Sequence, residues 1–415
     1  MFAQDRLSGD WRGYWTQAGD TMAVTMHIKP GAGAGNLAAT FDSDRLRVSG
    51  ILFDSVRVEG CCNVTMVLRG DRTTSRFTGT LRADSLSGQF REGEGQGAFA
   101  FVRTPAVAPR FQEQEVTFAN GSVKLAGSLI LPLTGNALPA VVFLQGSGAE
   151  GRWASRFLAT QLASHGIAAL IFDKRGVGES GGDWREATVE DLAKDGRAAV
   201  ERLVQEPRID HHRIGIHGHS QGGTLAPLVA ARSHHVAFVI GSAAAGVPTD
   251  STEMFSILNS IYPKAATAED SAMARTYVSE LVAVAYHDRP RAGLDSLATA
   301  LKDRPWFFAS PPASDSYWLF SKSFGRYDPL EWWGRVHVPV LLLYGSKDKR
   351  VPALESAARI RGAILRNTPN GNVTVKIFPG ADHTFRLPPG PSGWPSSAPD
   401  YLPTLLNWIE SRKKG

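Results

Sequence analysis

A chain of 415 residues, 43% hydrophobic and 20% charged, has the make-up of a folded globular protein of two domains, which excludes disordered and fibrous classes. Its net charge of +5 comes from scattered basic residues, with Lys413-Lys414 the only short run, so no nucleic-acid partner is expected. No stretch of about 20 apolar residues occurs, so no membrane span is expected either.

The first residues, Met1 to Asp5, lack the basic and apolar regions of an export signal. Two origins fit: a cytoplasmic protein, or a periplasmic or secreted one whose signal has been removed. The abrupt entry into structured sequence at Leu7-Ser8-Gly9-Asp10-Trp11 favours the second. From Trp11 to Arg103, short alternating runs are separated by glycine and aspartate turns, among them 22–28, 64–68, 77–81 and 98–102. Period-two alternation at this spacing predicts an antiparallel β domain over residues 1–105. Within it Gly31 to Gly35 reads as a loop, because no helix follows to make a phosphate site. The only cysteines, Cys61 and Cys62, are adjacent. Neighbours rarely reach ordinary disulfide geometry and no Cys/His ligand spacing accompanies them, so two small buried side chains are expected.

Thr104 to Pro109 reads as a linker, and residues 106–415 as a second domain. A hairpin is predicted around Asn120-Gly121, after which strand and helix signals alternate: strand 139–144, helix 152–165, strand 167–172, helix 188–205, strand 237–241. Continuous apolar strands between helices predict a mostly parallel sheet covered on both faces, hence an α/β class. The rhythm breaks over about 246–336, where amphipathic helices at 268–286 and 291–301 precede an aromatic and proline-rich piece. An insertion at this point is expected to cap the C-terminal edge of the sheet, where ligands enter. Strand 338–344, helix 354–364, strand 373–378 and helix 401–411 complete the sheet.

Between the helix at 188–205 and the strand at 237–241 lies Arg213 to Gly223, which contains Gly218-His219-Ser220-Gln221-Gly222. A serine hydroxyl is a poor nucleophile, so it must project from a sharp strand-to-helix turn where a base can reach it. Glycines two residues before and after relieve the crowding of that turn. Apolar Ile214 and Ile216 precede the motif and a helical run from Thr224 follows, the context that a nucleophile elbow demands. Such a serine needs a base and the base a carboxylate, in the order Ser, Asp/Glu, His on loops after successive strands. Asp348, after Leu341 to Lys347, and His383, after Ile377 to Asp382, stand in that order. The developing oxyanion needs two donors: the amide of Gln221, directly after the serine, and the amide of Ser147 in the Gln145-Gly146-Ser147-Gly148 loop. Asp382 is read as a brace of its loop, and His217 and His219 as packing or support of the elbow, too close to the serine to approach its hydroxyl.

These pieces, together with Asp173-Lys174-Arg175-Gly176-Val177-Gly178-Glu179-Ser180 and Gly345 to Pro352, resemble the α/β-hydrolase superfamily over roughly residues 115–412. The resemblance is to bacterial serine esterases and serine-aminopeptidase-like hydrolases with an N-terminal β-rich domain, with the cap matching poorly. It implies a structural role for the Asp173 to Ser180 loop. Gln145 stands where relatives carry histidine, but the donor amide survives. The expectation is a cofactor-free and metal-free serine carboxylesterase acting on short- to medium-chain esters of small molecules. A peptidase or amidase of the same fold, and a non-catalytic binding module on this scaffold, are the alternatives. The β domain is expected to shape the pocket or mediate homo-oligomerisation.

Overall fold

The computed structural model describes residues 6–31, 36–70, 73–106, 108–325 and 327–412. Most of the glycine-rich loop after Gly31 lies outside them. The chain forms two compact units.

The first unit runs to Arg110 and also takes in Arg156–Leu158 and Leu387–Ser397, so it is built from three stretches of chain. Its described strands are β1 (Gly9–Gln17), β2 (Asp20–Pro30), β3 (Leu37–Ser43), β4 (Val48–Leu52), β5 (Ser55–Glu59), β6 (Asn63–Arg69), β7 (Thr74–Arg82), β8 (Ser85–Glu92) and β9 (Gly95–Thr104). They pair antiparallel in the order β2-β1-β9-β8-β7-β6-β5-β3-β4, and β2 also pairs with β3, which closes the sheet into a barrel-like form. Alternation drives the closure: Met22, Val24, Met26 and Ile28 of β2 are buried while the residues between them are more exposed. Inside, the Trp15 ring lies 5.1 Å from Phe41, 4.9 Å from Phe77 and 6.0 Å from Phe90. Trp394, from the third stretch, stacks on Phe90 at 6.2 Å. The neighbouring Ser392 hydroxyl donates to Asp20 at 2.7 Å and its carbonyl accepts from Gln17. The Arg45 guanidinium and the Ser392 hydroxyl hold the Asp20 carboxyl well below the usual range.

Cys61 and Cys62 depart from the expectation of two buried thiols. They sit in the turn between β5 and β6, Cys61 exposed and Cys62 half-buried, and form a disulfide across a Cα–Cα separation of 3.8 Å. The inward positions of this hairpin belong to Val56, Val64 and Met66, which leaves the turn outside the core.

The second unit holds β10 (Phe111–Asn120), β11 (Val123–Pro132), β12 (Leu138–Leu144), β13 (Ala168–Phe172), β14 (Ile209–His219), β15 (Val236–Ser242), β16 (Val340–Gly345) and β17 (Val373–Phe378). Their order is β10-β11-β13-β12-β14-β15-β16-β17. The β10–β11 hairpin adds antiparallel at one edge, and from β13 onward all pairs are parallel. Every residue of β12, β13 and β16 is buried, so both faces of the sheet are covered there. The crossovers are α1 (Trp153–Ser164), α2 (Val189–Val204), α3 (Gln221–Ala231) and α9 (Ala353–Asn367), and α10 (Tyr401–Glu410) ends the unit. Thr188 starts α2 with a capping box: its hydroxyl accepts from the Asp191 amide while the Asp191 carboxylate accepts from the Thr188 amide.

Between β15 and β16 the chain makes α4 (Thr249–Ile261), α5 (Ala268–Tyr286), α6 (Ala292–Leu301), α7 (Ser316–Phe324) and α8 (Pro329–Trp333). Sequence periodicity had α5 and α6. The other three helices are short or half-buried, and α4 buries only Leu258 and Ile261. Aromatic residues build the interior of this insertion. Tyr277 is buried against Phe307 and Phe308 and donates to the Phe308 carbonyl at 2.9 Å, and the buried Trp306 indole donates to Asp270 at 3.1 Å.

Candidate active site

Ser220 occupies the turn between β14 and α3 with φ 53° and ψ −114°, a left-handed backbone that a residue with a Cβ adopts only when its surroundings impose it. The surroundings are explicit. Its amide donates to the Ser242 carbonyl at 2.9 Å, and its carbonyl accepts from the Thr224 amide at 3.0 Å. A Cβ on Gly218 would stand 2.2 Å from the Gly222 carbonyl oxygen, and one on Gly222 would stand 2.3 Å from that of Leu144. Both glycines of the motif are therefore required by close backbone approach.

Asp348 and His383 meet at the ends of β16 and β17. Asp348 Oδ2 accepts from His383 Nδ1 at 2.8 Å, while Oδ1 accepts from the amides of Arg350 at 2.7 Å and Val351 at 2.9 Å. The Asp348 side chain is 0% exposed and that of His383 11%, so the pair is shielded from solvent. Ser220 is seated on the neighbouring part of the same sheet edge, and among the described residues its hydroxyl makes no hydrogen bond to His383.

The other candidates support this frame. His219 Nε2 faces the His383 carbonyl at 3.2 Å, with the two rings 5.0 Å apart. His217 is buried against Phe143, with Nε2 2.9 Å from the Ser242 hydroxyl. Asp382 Oδ1 accepts from the amides of Thr384 and Arg386 and so braces the loop. Asp173 accepts from the Arg152 amide and guanidinium; burial pushes its carboxyl up, and Arg152 brings it below the usual range. Arg175 and Asp195 form a two-pronged buried pair at 2.7 Å. Asp195→Ala would strand a buried guanidinium, and the expected loss of stability is about 3–5 kcal/mol, read as a lower midpoint in urea unfolding.

Ser147 and Gln221 line one cavity with Ser220. Gln221 is the first residue of α3, so its amide has no partner within the helix, and among the described residues neither its amide nor that of Ser147 has an acceptor. The Gln145 side chain donates to the Phe172 carbonyl, which ties the loop to the end of β13. The cavity, about 130 Å³, is also lined by Tyr286, Phe320 and Phe324 of the insertion. Thr249, Thr252 and Glu253 of α4 also line it, and sequence reading did not single them out. Their signal was the i, i+3, i+4 spacing, which sets three polar groups on one helical face. Burial pushes the Glu253 carboxyl above its usual range, opposed by Arg350. Burial likewise raises the Tyr286 hydroxyl.

The parallel sheet with its antiparallel edge hairpin, together with the strand-to-helix turn after its central strand, gives the second unit the α/β-hydrolase fold. Residues 135–298 match the family described as "Serine aminopeptidase, S33". The sequence is 33% identical to the uncharacterized protein PA2218 of Pseudomonas aeruginosa over 34% of this chain and 39% of that protein. It is 32% identical to the quorum-quenching protein AidA of Acinetobacter baumannii over 30% of this chain and 42% of that protein. The chain thus spans about two fifths of the length of these relatives. The solved Pyrococcus furiosus esterase Pf2001 aligns with 75% of this chain and 94% of its own at 19% identity and a TM-score of 0.46. Among the described residues, no helix is long and apolar enough to cross a membrane.

Proposed function

We propose that the α/β-hydrolase unit is a serine carboxylesterase for short- to medium-chain esters of small molecules. The observation that carries this reading is the strained Ser220 turn beside a cavity that Ser147 and Gln221 also line, two residues whose amides have no acceptor among the described residues. In the proposed mechanism His383 Nε2 takes the Ser220 proton as Oγ attacks the ester carbonyl. Asp348, fixed by two backbone amides, keeps the proton of His383 on Nδ1, so that Nε2 is free to act as base. The Ser147 and Gln221 amides receive the oxyanion, His383 returns its proton to the leaving alcohol, and water repeats the sequence on the acyl-enzyme. The small, partly aromatic cavity supports a short or medium acyl group, and the helical insertion supports the role of a cap.

The same residues could cleave amides, so the test compares the two bonds. A panel of chromogenic acyl esters of increasing length, run beside aminoacyl anilides, is expected to give turnover on the shorter esters and little on the anilides. Rapid anilide turnover with negligible ester cleavage would replace this reading with a peptidase.

A further inference from the structure

The mechanism makes no use of Lys174, a buried cation that no carboxylate hydrogen-bonds among the described residues. Lys174 is 3% exposed and follows Asp173 in the turn after β13. Its Nζ donates to the carbonyl oxygen of Gly146, to that of Gly148 at 2.9 Å, and to Oε1 of Gln221 at 3.1 Å. The face of the Trp184 ring lies 5.8 Å from the same nitrogen.

An ammonium has three protons to donate and accepts nothing, so these three acceptors saturate it. Two of them flank Ser147, and the third belongs to the residue whose amide is the other oxyanion donor. One cation therefore joins two segments that arrive from different strands, the loop after β12 and the N-terminus of α3. Burying a lysine is costly, and no carboxylate hydrogen-bonds this one among the described residues; carbonyl dipoles compensate it instead.

We propose that Lys174 is a positioning residue that holds the Ser147 and Gln221 amides at the separation an oxyanion requires. This rests on the acyl-transfer reading of the site. Oxyanion stabilisation depends on donors aimed in advance, and a displacement of about 1 Å can cost on the order of a hundredfold in rate. A point charge that grips both segments supplies that aim without touching substrate.

The clamp works only while the amine is charged. Burial pushes Lys174 down to about 8, with Glu150 acting in the opposite direction. The charged groups facing it are already engaged. Glu150 accepts from the Gly146 amide, Asp173 is paired with Arg152, and Asp195, which lines the small cavity beside Lys174, is paired with Arg175. From α3 the facing group is the uncharged Gln221. As pH rises through about 8 the ammonium loses a proton, and the neutral amine turns a lone pair toward one of its three acceptors. The oxyanion donors then loosen, and kcat falls on the alkaline side.

The experiment measures kcat and KM from pH 6 to 10 on a chromogenic ester for wild type, Lys174→Met and Ser220→Ala, with circular dichroism at each pH. The expected result is a wild-type alkaline limb near pH 8 with unchanged dichroism. Lys174→Met should lower kcat at pH 7 by about 10- to 100-fold, leave KM within about threefold and abolish that limb. If Lys174→Met does not fold, wild type decides alone, and a kcat that stays flat to pH 9.5 overturns the proposal. Lys174→Met with wild-type kcat and a retained limb also overturns it, while an inactive Ser220→Ala in the same series leaves the acyl-transfer reading standing. Turnover surviving in Ser220→Ala overturns both.

Discussion

Ser220→Ala is expected to lower kcat by about a million-fold while leaving the fold and thermal unfolding unchanged. The size follows from removing the hydroxyl that the proposed mechanism acylates. The unchanged fold follows from the turn itself. Alanine keeps the Cβ, so the strain at φ 53° is the same in both proteins, and the two hydrogen bonds that hold the turn, to Ser242 and from Thr224, are made by backbone. Rate remaining above that of water would come from the oxyanion donors and from binding. Steady-state kinetics beside a thermal melt checks both halves, and near-wild-type turnover would place the nucleophile elsewhere.

Asp348→Asn is expected to cost about ten-thousand-fold in kcat at neutral pH. Asp348 Oδ1 is pinned by the amides of Arg350 and Val351. An asparagine must leave its oxygen there, because its NH₂ cannot accept those bonds. The NH₂ then faces His383 Nδ1, which must accept, and the ring proton moves to Nε2. In that tautomer the imidazole cannot take the serine proton. Fold and KM should change little, since the side chain keeps its shape and its two backbone bonds. A loss below about tenfold would remove Asp348 from the orienting role.

Much of this was legible in the sequence, and the reason lies in range. Period-two alternation at 22–28 and continuous apolar runs such as 139–144 and 167–172 are local patterns, and they match β2, β12 and β13. The residues around Ser220 were legible because a tight turn forces glycine at 218 and 222, where an added Cβ would stand 2.2 and 2.3 Å from backbone carbonyl oxygens. What escaped depends on residues brought together from afar. Lys174 reads as one more residue of a structural loop, yet its partners are carbonyls at 146 and 148 and a side chain at 221, which only the sheet order assembles. Helix α4 escaped because it follows Pro248 without a side-chain cap and buries two residues only, so its apolar stripe is weak. Leu387–Ser397 escaped because a short loop carries one tryptophan, Trp394, into the core of the first unit.

The central claim, that Ser220 is the nucleophile of an acyl-transfer site, is tested most directly by covalent capture. Wild-type protein treated with a chromogenic dialkyl phosphate ester should lose esterase activity and gain one dialkylphosphoryl mass per chain, mapped by peptide mass spectrometry to Ser220. The Ser220→Ala protein should gain none. An inactivated wild type without an adduct on Ser220, or an adduct on another residue that tracks the loss of activity, would contradict it.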